Sequence, residues 1–514
     1  MSSDLEHTMH GMFAPLLDEH DYQVDQIDGE IPRELSGTLY RIGAGKWQVG
    51  DTMLDCLFDG DGMVSQFSIA DGRVRFRNRY VRTPQYVHGL TSSKLRRPGV
   101  GTAHGRIPLP PANTANTNLS WHAGDLLALW EGGRPYKIDP DTLETHGEHD
   151  FGGRLKGLGM WSAHPRWDPD TGEMFNFGTR LFPTPGLHCY RVSAQGVLKK
   201  INSFPLQGIP WNHDFALTRT HLVFVLDPIQ PDLRKVFGGS FFSSLTYHPE
   251  RATRFVLVPR TGGPPRVIEH EALLHFHLTN AYEDGTDTVV DLVRFEDWEE
   301  FKLDLSEFRT RAHRLPASRL MRYRITPSKV VEEELVPHTG DFPQYDWRLS
   351  TRRHRYTYLA GRTGTTGTYD STLKVDHDSG RVTAHRIGAG NSLGEPLFVP
   401  RGPDAAEDDG WLLVVNYSET EHRSQLVILD AADLDRAPLA VVQLPHHLPF
   451  GFHGTFRRAP TAGTGRLGLS DQGADDRGAG VVGAVGGDGC VEMDRRVGTA
   501  RGQGVGGGSG TGTG

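Results

Sequence analysis

Four histidines share a setting that suits metal chemistry. His164 lies in Trp161-Ser-Ala-His-Pro165, His213 in Trp211-Asn-His-Asp-Phe215, His277 in Phe276-His-Leu-Thr-Asn280, and His453 in Gly451-Phe-His-Gly-Thr-Phe456. Each has an aromatic residue within three positions and sits near a strand end or turn. A neutral imidazole gives one ring nitrogen to a metal and directs the other at an acceptor. In chain order the four are 49, 64 and 176 residues apart, which is neither zinc-finger spacing nor an H-E-x-x-H helix. The chain holds 25 histidines, so decoys are many. Two readings stand for each ring: a packed or solvent-facing turn residue, or one member of a set brought together from distant segments. On the second reading, His453 closes a metal site whose other ligands lie far upstream.

Three acidic residues have comparable settings: Glu131 in Leu129-Trp-Glu-Gly-Gly133, Asp341 in Gly340-Asp-Phe-Pro343, and Glu395 in Gly394-Glu-Pro-Leu-Phe-Val-Pro400. They read as turn residues, or as acceptors that fix an imidazole tautomer and raise its basicity. Gly390-Asn-Ser-Leu-Gly394 matches a serine-hydrolase elbow, but the stretch after it reads as a strand where that motif needs a helix. Asp59-Gly-Asp-Gly-Met63 resembles the start of a calcium loop without its later Gly and Glu, and reads as a tight turn.

The elements that must position these groups are short strands bounded by Gly, Pro, Asp and Asn. Gly37 to Gly43, Met63 to Ile69 and Arg73 to Val81 are among them, with Asp71-Gly72 as a hairpin turn. Ten more such runs follow. Helical patterns are few, Glu271 to His275 and Leu303 to Arg311 being the best. This is an all-β pattern, and its spread over one long region without a linker favours a β-propeller over several sandwiches. No strict repeat motif supports that choice.

The tail from Arg457 to Gly514 is rich in Gly and poor in aromatic and branched apolar residues. It is predicted to be disordered, because it offers too little apolar surface to offset ordering entropy. The folded domain is therefore expected over residues 1–456 and the tail over 457–514. Composition, at 37% hydrophobic and 23% charged, is that of a globular protein. A formal charge of −9 argues against a nucleic-acid partner. Three scattered cysteines suit a reducing compartment. With no signal-peptide pattern and no apolar run near the ~20 residues of a membrane helix, a cytoplasmic location is expected.

Taken together, Gly37-Thr-Leu-Tyr-Arg41, Leu57-Phe-Asp-Gly-Asp-Gly-Met-Val64, Ala115-Asn-Thr-Asn118, Ser162-Ala-His-Pro165 and the histidine and acidic stretches above resemble the carotenoid cleavage oxygenases, from about Met12 to Phe456. The resemblance implies a seven-bladed β-propeller with Fe(2+) on its axis, held by His164, His213, His277 and His453. Glu131, Asp341 and Glu395 match the carboxylates behind those ligands. Asp341 departs from the family's usual Glu, and its side chain reaches less far. The implied reaction uses O2 to split a double bond of a hydrophobic polyene into two carbonyls. Stilbene cleavers of the family carry Lys where this chain has Trp130, which suits the wall of a tunnel for a carotenoid or apocarotenoid. The rivals are a stilbene-cleaving dioxygenase and a non-catalytic polyene-binding propeller. Phe237, Phe241 and Phe242, beside basic residues, match the family's apolar tunnel mouth and are expected to dock on a membrane surface.

Overall fold

Asp71 and Gly72 adopt φ of 51° and 71°, the left-handed pair that a two-residue type I′ turn requires. They join strands Asp61–Ala70 and Arg73–Tyr80, with Ala70 opposite Arg73 as the turn dictates. Antiparallel pairing of neighbouring strands builds the described sheets. The computed structural model describes residues 11–459 apart from 50–51, 104–109, 158, 182, 209–210, 237–238, 307, 309–315, 337–338, 365–366 and 389.

Seven antiparallel sheets of four to six strands form the blades of a β-propeller. Their inner strands are Asn118–His122 in blade two, Arg166–Asp168 in blade three and Ala216–Leu217 in blade four. Blade five begins with Leu274–Asp284, blade six with Gly340–Gln344, and blade seven with Asn391–Leu393 and Leu397–Pro400. Blade one joins the two ends of the fold: Gly451–Arg458 pairs antiparallel with Gly37–Lys46. That strand runs two residues beyond the expected boundary at Phe456, because Arg457 and Arg458 still pair with Thr38 and Gly37. The rest of the tail expected to be disordered, from Pro460 on, lies outside the described residues.

Apolar side chains between neighbouring blades hold the ring together. Phe177 of blade three meets Phe215 and Phe224 of blade four at 5.6 and 5.3 Å between ring centres. All three are buried, each contributing roughly 1.5–3 kcal/mol of hydrophobic stabilisation. A further cluster, including Met12, Phe13, Trp47, Phe242 and Phe308, caps the ring.

Described helices are short, and none is long and apolar enough to cross a membrane. The longest, Trp298–Ser306, starts five residues before the helix expected at Leu303. Its start follows Asp297, whose carboxylate accepts the Glu300 N–H at 2.8 Å. Glu271 to His275, read from sequence as helical, is a bend entering a strand, with Leu274 and His275 already opposite Phe295 and Arg294. Cross-strand pairing overrides a five-residue helical pattern that has no cap.

Candidate metal centre

Each blade sends one chemically active side chain toward the axis. Blades three and four supply His164 and His213 from the loops leading into their inner strands. Blades five and one supply His277 and His453 from within theirs. Blade two gives Glu131 just past strand Asp125–Leu129, blade six gives Asp341, and blade seven gives Glu395 between its two inner segments.

Local irregularities aim these groups. Strict alternation would put His275 and His277 on one face of their strand. Instead, the pairing shifts between His275 and Leu278, and again before Ala281. His275 then turns to Asp227, Nδ1 to Oδ2 2.8 Å, while His277 faces the other three histidines. Blade six breaks register between Asp341 and Gln344, and Phe342 takes a φ of +55°.

The four buried imidazoles present one ring nitrogen each, all within 4.8 Å of one another. Nε2 of His213 lies 2.9 Å from Nε2 of His164 and 3.2 Å from that of His277. The other face of three rings is held by carboxylates. His277 Nδ1 meets Asp341 Oδ1 at 2.7 Å, and His453 Nδ1 meets Glu395 Oε1 at 2.9 Å. His213 Nδ1 contacts Glu131 Oε1. Asp341 and Glu395 each hold a proton on Nδ1 and leave Nε2 as the lone-pair donor, while Glu131 stands in contact with the third ring. Asp341 reaches its histidine despite being one methylene shorter than Glu.

Electrostatics favour neutral, donor rings at three of the four histidines. Burial pushes the His164 and His213 imidazoles well below their ordinary pKa, with the neighbouring histidines adding to the effect. Burial also lowers His453 against the pull of Glu395. For His277 burial acts the same way, but Asp341 overrides it and holds the ring above its ordinary value. Burial disfavours the charged form of Glu395, yet His453 and Arg41 beside it keep its carboxyl below the usual range. Neutral imidazoles backed by carboxylates fit a first-row divalent cation such as Fe(2+).

Sequence reasoning missed the side chains that lock these segments together. Arg166, two residues after His164, pairs with buried Asp214, next to His213, at 2.6 Å. It also donates to the carbonyls of Phe215, Leu278 and Thr279 at 2.8, 2.7 and 3.1 Å. Asp214 in turn accepts the N–H groups of Phe215 and Leu278 at 2.7 and 2.8 Å. One ion pair thus staples three ligand-bearing segments. Arg41 does this for the fourth, pairing with Glu395 and donating to the Phe452 carbonyl at 2.9 Å. Phe276 stacks on the His213 ring, 3.6 Å between centres and 7° from parallel. Arg41 and Phe276 stood within the motifs already quoted, but their partners lie 354 and 63 residues away.

An apolar cavity opens on His213, His277 and His453, walled by Phe58, Phe276, Phe342, Phe450 and Phe452, with Thr117 beside them. Thr117 donates its hydroxyl to Asn116 Oδ1 at 3.1 Å. No Lys or Arg lines the cavity among the described residues. Trp130, expected on its wall, is buried beside Gly132 and is not among the lining residues. Of the aromatic patch expected at a membrane surface, Phe242 does not stand exposed. Phe242 is 2% exposed and packs on Trp211, 5.9 Å between ring centres. Its helix, Phe241–Ser244, opens on a capping box between Ser240 and Ser243. Phe241 is half-buried against the same core, and Phe237 lies outside the described residues. Ser392 sits in a strand with no helix after it, so the hydrolase elbow is absent. Asp59 is engaged by the N–H of Val100 at 2.7 Å and the Thr102 hydroxyl at 2.7 Å, which makes it a loop clamp.

The sequence model of the retinal pigment epithelial membrane protein family (RPE65) matches residues 13–458. The chain is 36% identical over 461 residues to the apocarotenoid-15,15′-oxygenase of Synechocystis sp., covering 85% of this chain and 94% of the relative. It is 31% identical over 481 residues to resveratrol cleavage oxygenase 1 of Aspergillus fumigatus, covering 87% and 94%. Among solved structures, cobalt-substituted Synechocystis apocarotenoid oxygenase superposes with a TM-score of 0.83 at 34% identity, covering 89% of this chain and 99% of that one.

Proposed function

Because the chain belongs to the retinal pigment epithelial membrane protein family of carotenoid cleavage oxygenases, we propose that it is a non-haem Fe(2+) dioxygenase. It splits a C=C bond of a carotenoid or apocarotenoid with O2 and releases two carbonyl products. The observation that carries this reading is the convergence of four imidazole nitrogens, three of them backed by carboxylates, at the edge of an aromatic cavity.

His164, His213, His277 and His453 would hold the iron, with Glu131, Asp341 and Glu395 fixing their tautomers. The iron, when bound, supplies activation of O2. The chain's own residues do the remaining work. The carboxylates keep Nδ1 protonated, and the Arg166 and Arg41 pairs fix the segments that carry the rings. The phenylalanine walls exclude water and hold a flat polyene against the histidines. One O2 and one alkene balance to two carbonyls, so no outside reductant and no acid–base side chain is required.

Among the described residues no cation lines the cavity to hold a phenolate, which favours a carotenoid or apocarotenoid over a stilbene. Incubation with a panel of carotenoids and apocarotenals under 18O2, with iron assayed, tests the reading. Labelled aldehyde pairs are expected. Stoichiometric iron and bound polyene without O2 uptake would leave a polyene-binding propeller instead. We assign the oxygenase domain to the segment that ends with Gly451–Arg458. A chain shortened after Ala459 is expected to keep its iron, and loss of folding on that truncation would move the boundary.

A further inference from the structure

The serine of Gly390-Asn-Ser-Leu-Gly394 has no role in the chemistry above, yet its position is unusual. Ser392 is 3% exposed, and its hydroxyl is buried without a hydrogen-bond partner among the described residues. It lines the aromatic cavity that holds the histidines. It also lines a second, adjoining cavity, which shares Met12 and Phe450 with the first and adds Arg41, Ser65, Tyr417 and Ser424. Ser392 therefore stands at the junction of the two.

Nearby polar groups are already engaged. Thr117 bonds Asn116, and Thr368 donates to the Asn391 carbonyl at 3.2 Å. Tyr417 meets His422 Nδ1 at 2.9 Å, and Ser424 accepts the Leu448 N–H at 2.8 Å. Arg41 is held by Glu395 and the Phe452 carbonyl. A buried hydroxyl left without a partner is costly, and the cost is recovered when a ligand supplies the missing bond. Alanine would fit the same strand position without that cost.

We propose that Ser392 is a specificity-determining contact, donating its hydroxyl proton to an oxygen substituent at one end of the substrate. The ligand it selects is a polyene carrying a carbonyl or hydroxyl oxygen, over the bare hydrocarbon. This deepens the oxygenase reading and rests on it for the identity of the polyene, but the contact itself is one of binding. The Ser392 carbon skeleton and strand pairing with Tyr417 orient the hydroxyl.

The test measures binding without turnover. The iron-loaded enzyme is titrated anaerobically, by quenching of tryptophan fluorescence, with an apocarotenoid aldehyde, the matching alcohol and the matching hydrocarbon. Each ligand is compared between wild type, Ser392→Ala and Ser392→Thr, so that differing solubilities cancel. Ser392→Ala is expected to raise Kd about tenfold for the aldehyde and the alcohol, the size of one buried hydrogen bond. The hydrocarbon should shift less than about twofold on the same scale. Ser392→Thr, which keeps the hydroxyl, should retain the preference. An equal shift for all three ligands, or none for any, overturns the proposal. Oxygen is then admitted to the aldehyde complex of the wild type. Absence of cleavage there counts against the dioxygenase reading and leaves the binding comparison intact.

Discussion

Among the described residues two histidine clusters have the spacing of a metal site, and they differ in what stands behind the rings. His164, His213, His277 and His453 gather on the axis; Asp291, His354 and His377 gather between blades five and six, and their potential ligand atoms are likewise within 4.8 Å of one another. In the first cluster the carboxylates sit on the far side of the rings, and the inner nitrogens face each other. In the second, the carboxylate is part of the cluster and already belongs to a cation: Arg322 Nε and Nη2 reach Asp291 Oδ1 and Oδ2 at 2.8 Å each. The rings there hydrogen-bond to neutral groups, with Asp291 Oδ2 standing off at 3.7 Å from His354 Nε2. His354 Nδ1 faces Asn280 Nδ2 at 3.3 Å, and both His354 and His377 meet the Thr357 hydroxyl, at 3.0 and 2.9 Å. A guanidinium in the position a metal would neutralise makes the second cluster structural. Proximity of ligand atoms does not define a metal site; the partners behind them do.

The largest effect that tests this contrast is loss of metal. His277→Ala should lose essentially all iron, while His377→Ala should keep it, as read by elemental analysis of the purified proteins. Iron lost from both variants would break the comparison. Next in size, Arg322→Met should cost about 3–5 kcal/mol of stability by leaving Asp291 buried without its cation, with iron content unchanged. Chemical denaturation measures it. Asp341→Asn should weaken iron retention 10–100-fold in chelator competition, roughly 1.4–2.7 kcal/mol, because a charged tautomer-fixing acceptor gives way to a neutral amide. An effect as large as that of His277→Ala would mean that Asp341 itself binds the metal.

The smallest effect is acid sensitivity at the second cluster. Burial pushes the His354 imidazole down to about 3. Its folded pKa lies below the unfolded value, so the stability it contributes is complete above that unfolded value, near 6.5, and falls as pH drops toward 3. The slope is at most about 1.4 kcal/mol per pH unit. His354→Gln should flatten part of that acid loss between pH 6.5 and 5, and denaturation midpoints at the two pH values would register it.

Much of the site was legible in the sequence, but only once the family pattern was seen. The histidine separations carry the blade count: 49 and 64 residues each span one blade, and 176 spans three. Without the blade length those numbers say nothing. The Asp71-Gly72 turn was legible from two residues, since only a local backbone requirement fixes it. Phe242 was not, because its burial depends on Trp211, 31 positions earlier. His275 and His277 look equivalent under alternation and differ only through a break in register. Arg166 is invisible for a similar reason: its partners lie on three segments that only the closed ring brings together.

That closed ring has a consequence for how the protein comes into being. The strand that fastens the ends together, Gly451–Arg458, also carries His453. During synthesis the first three histidines emerge long before the fourth. A growing chain therefore offers an incomplete donor set until its last blade is nearly finished. Clasp and final donor arrive in the same eight residues, so a metal that needed all four rings would be captured only once the ring had closed.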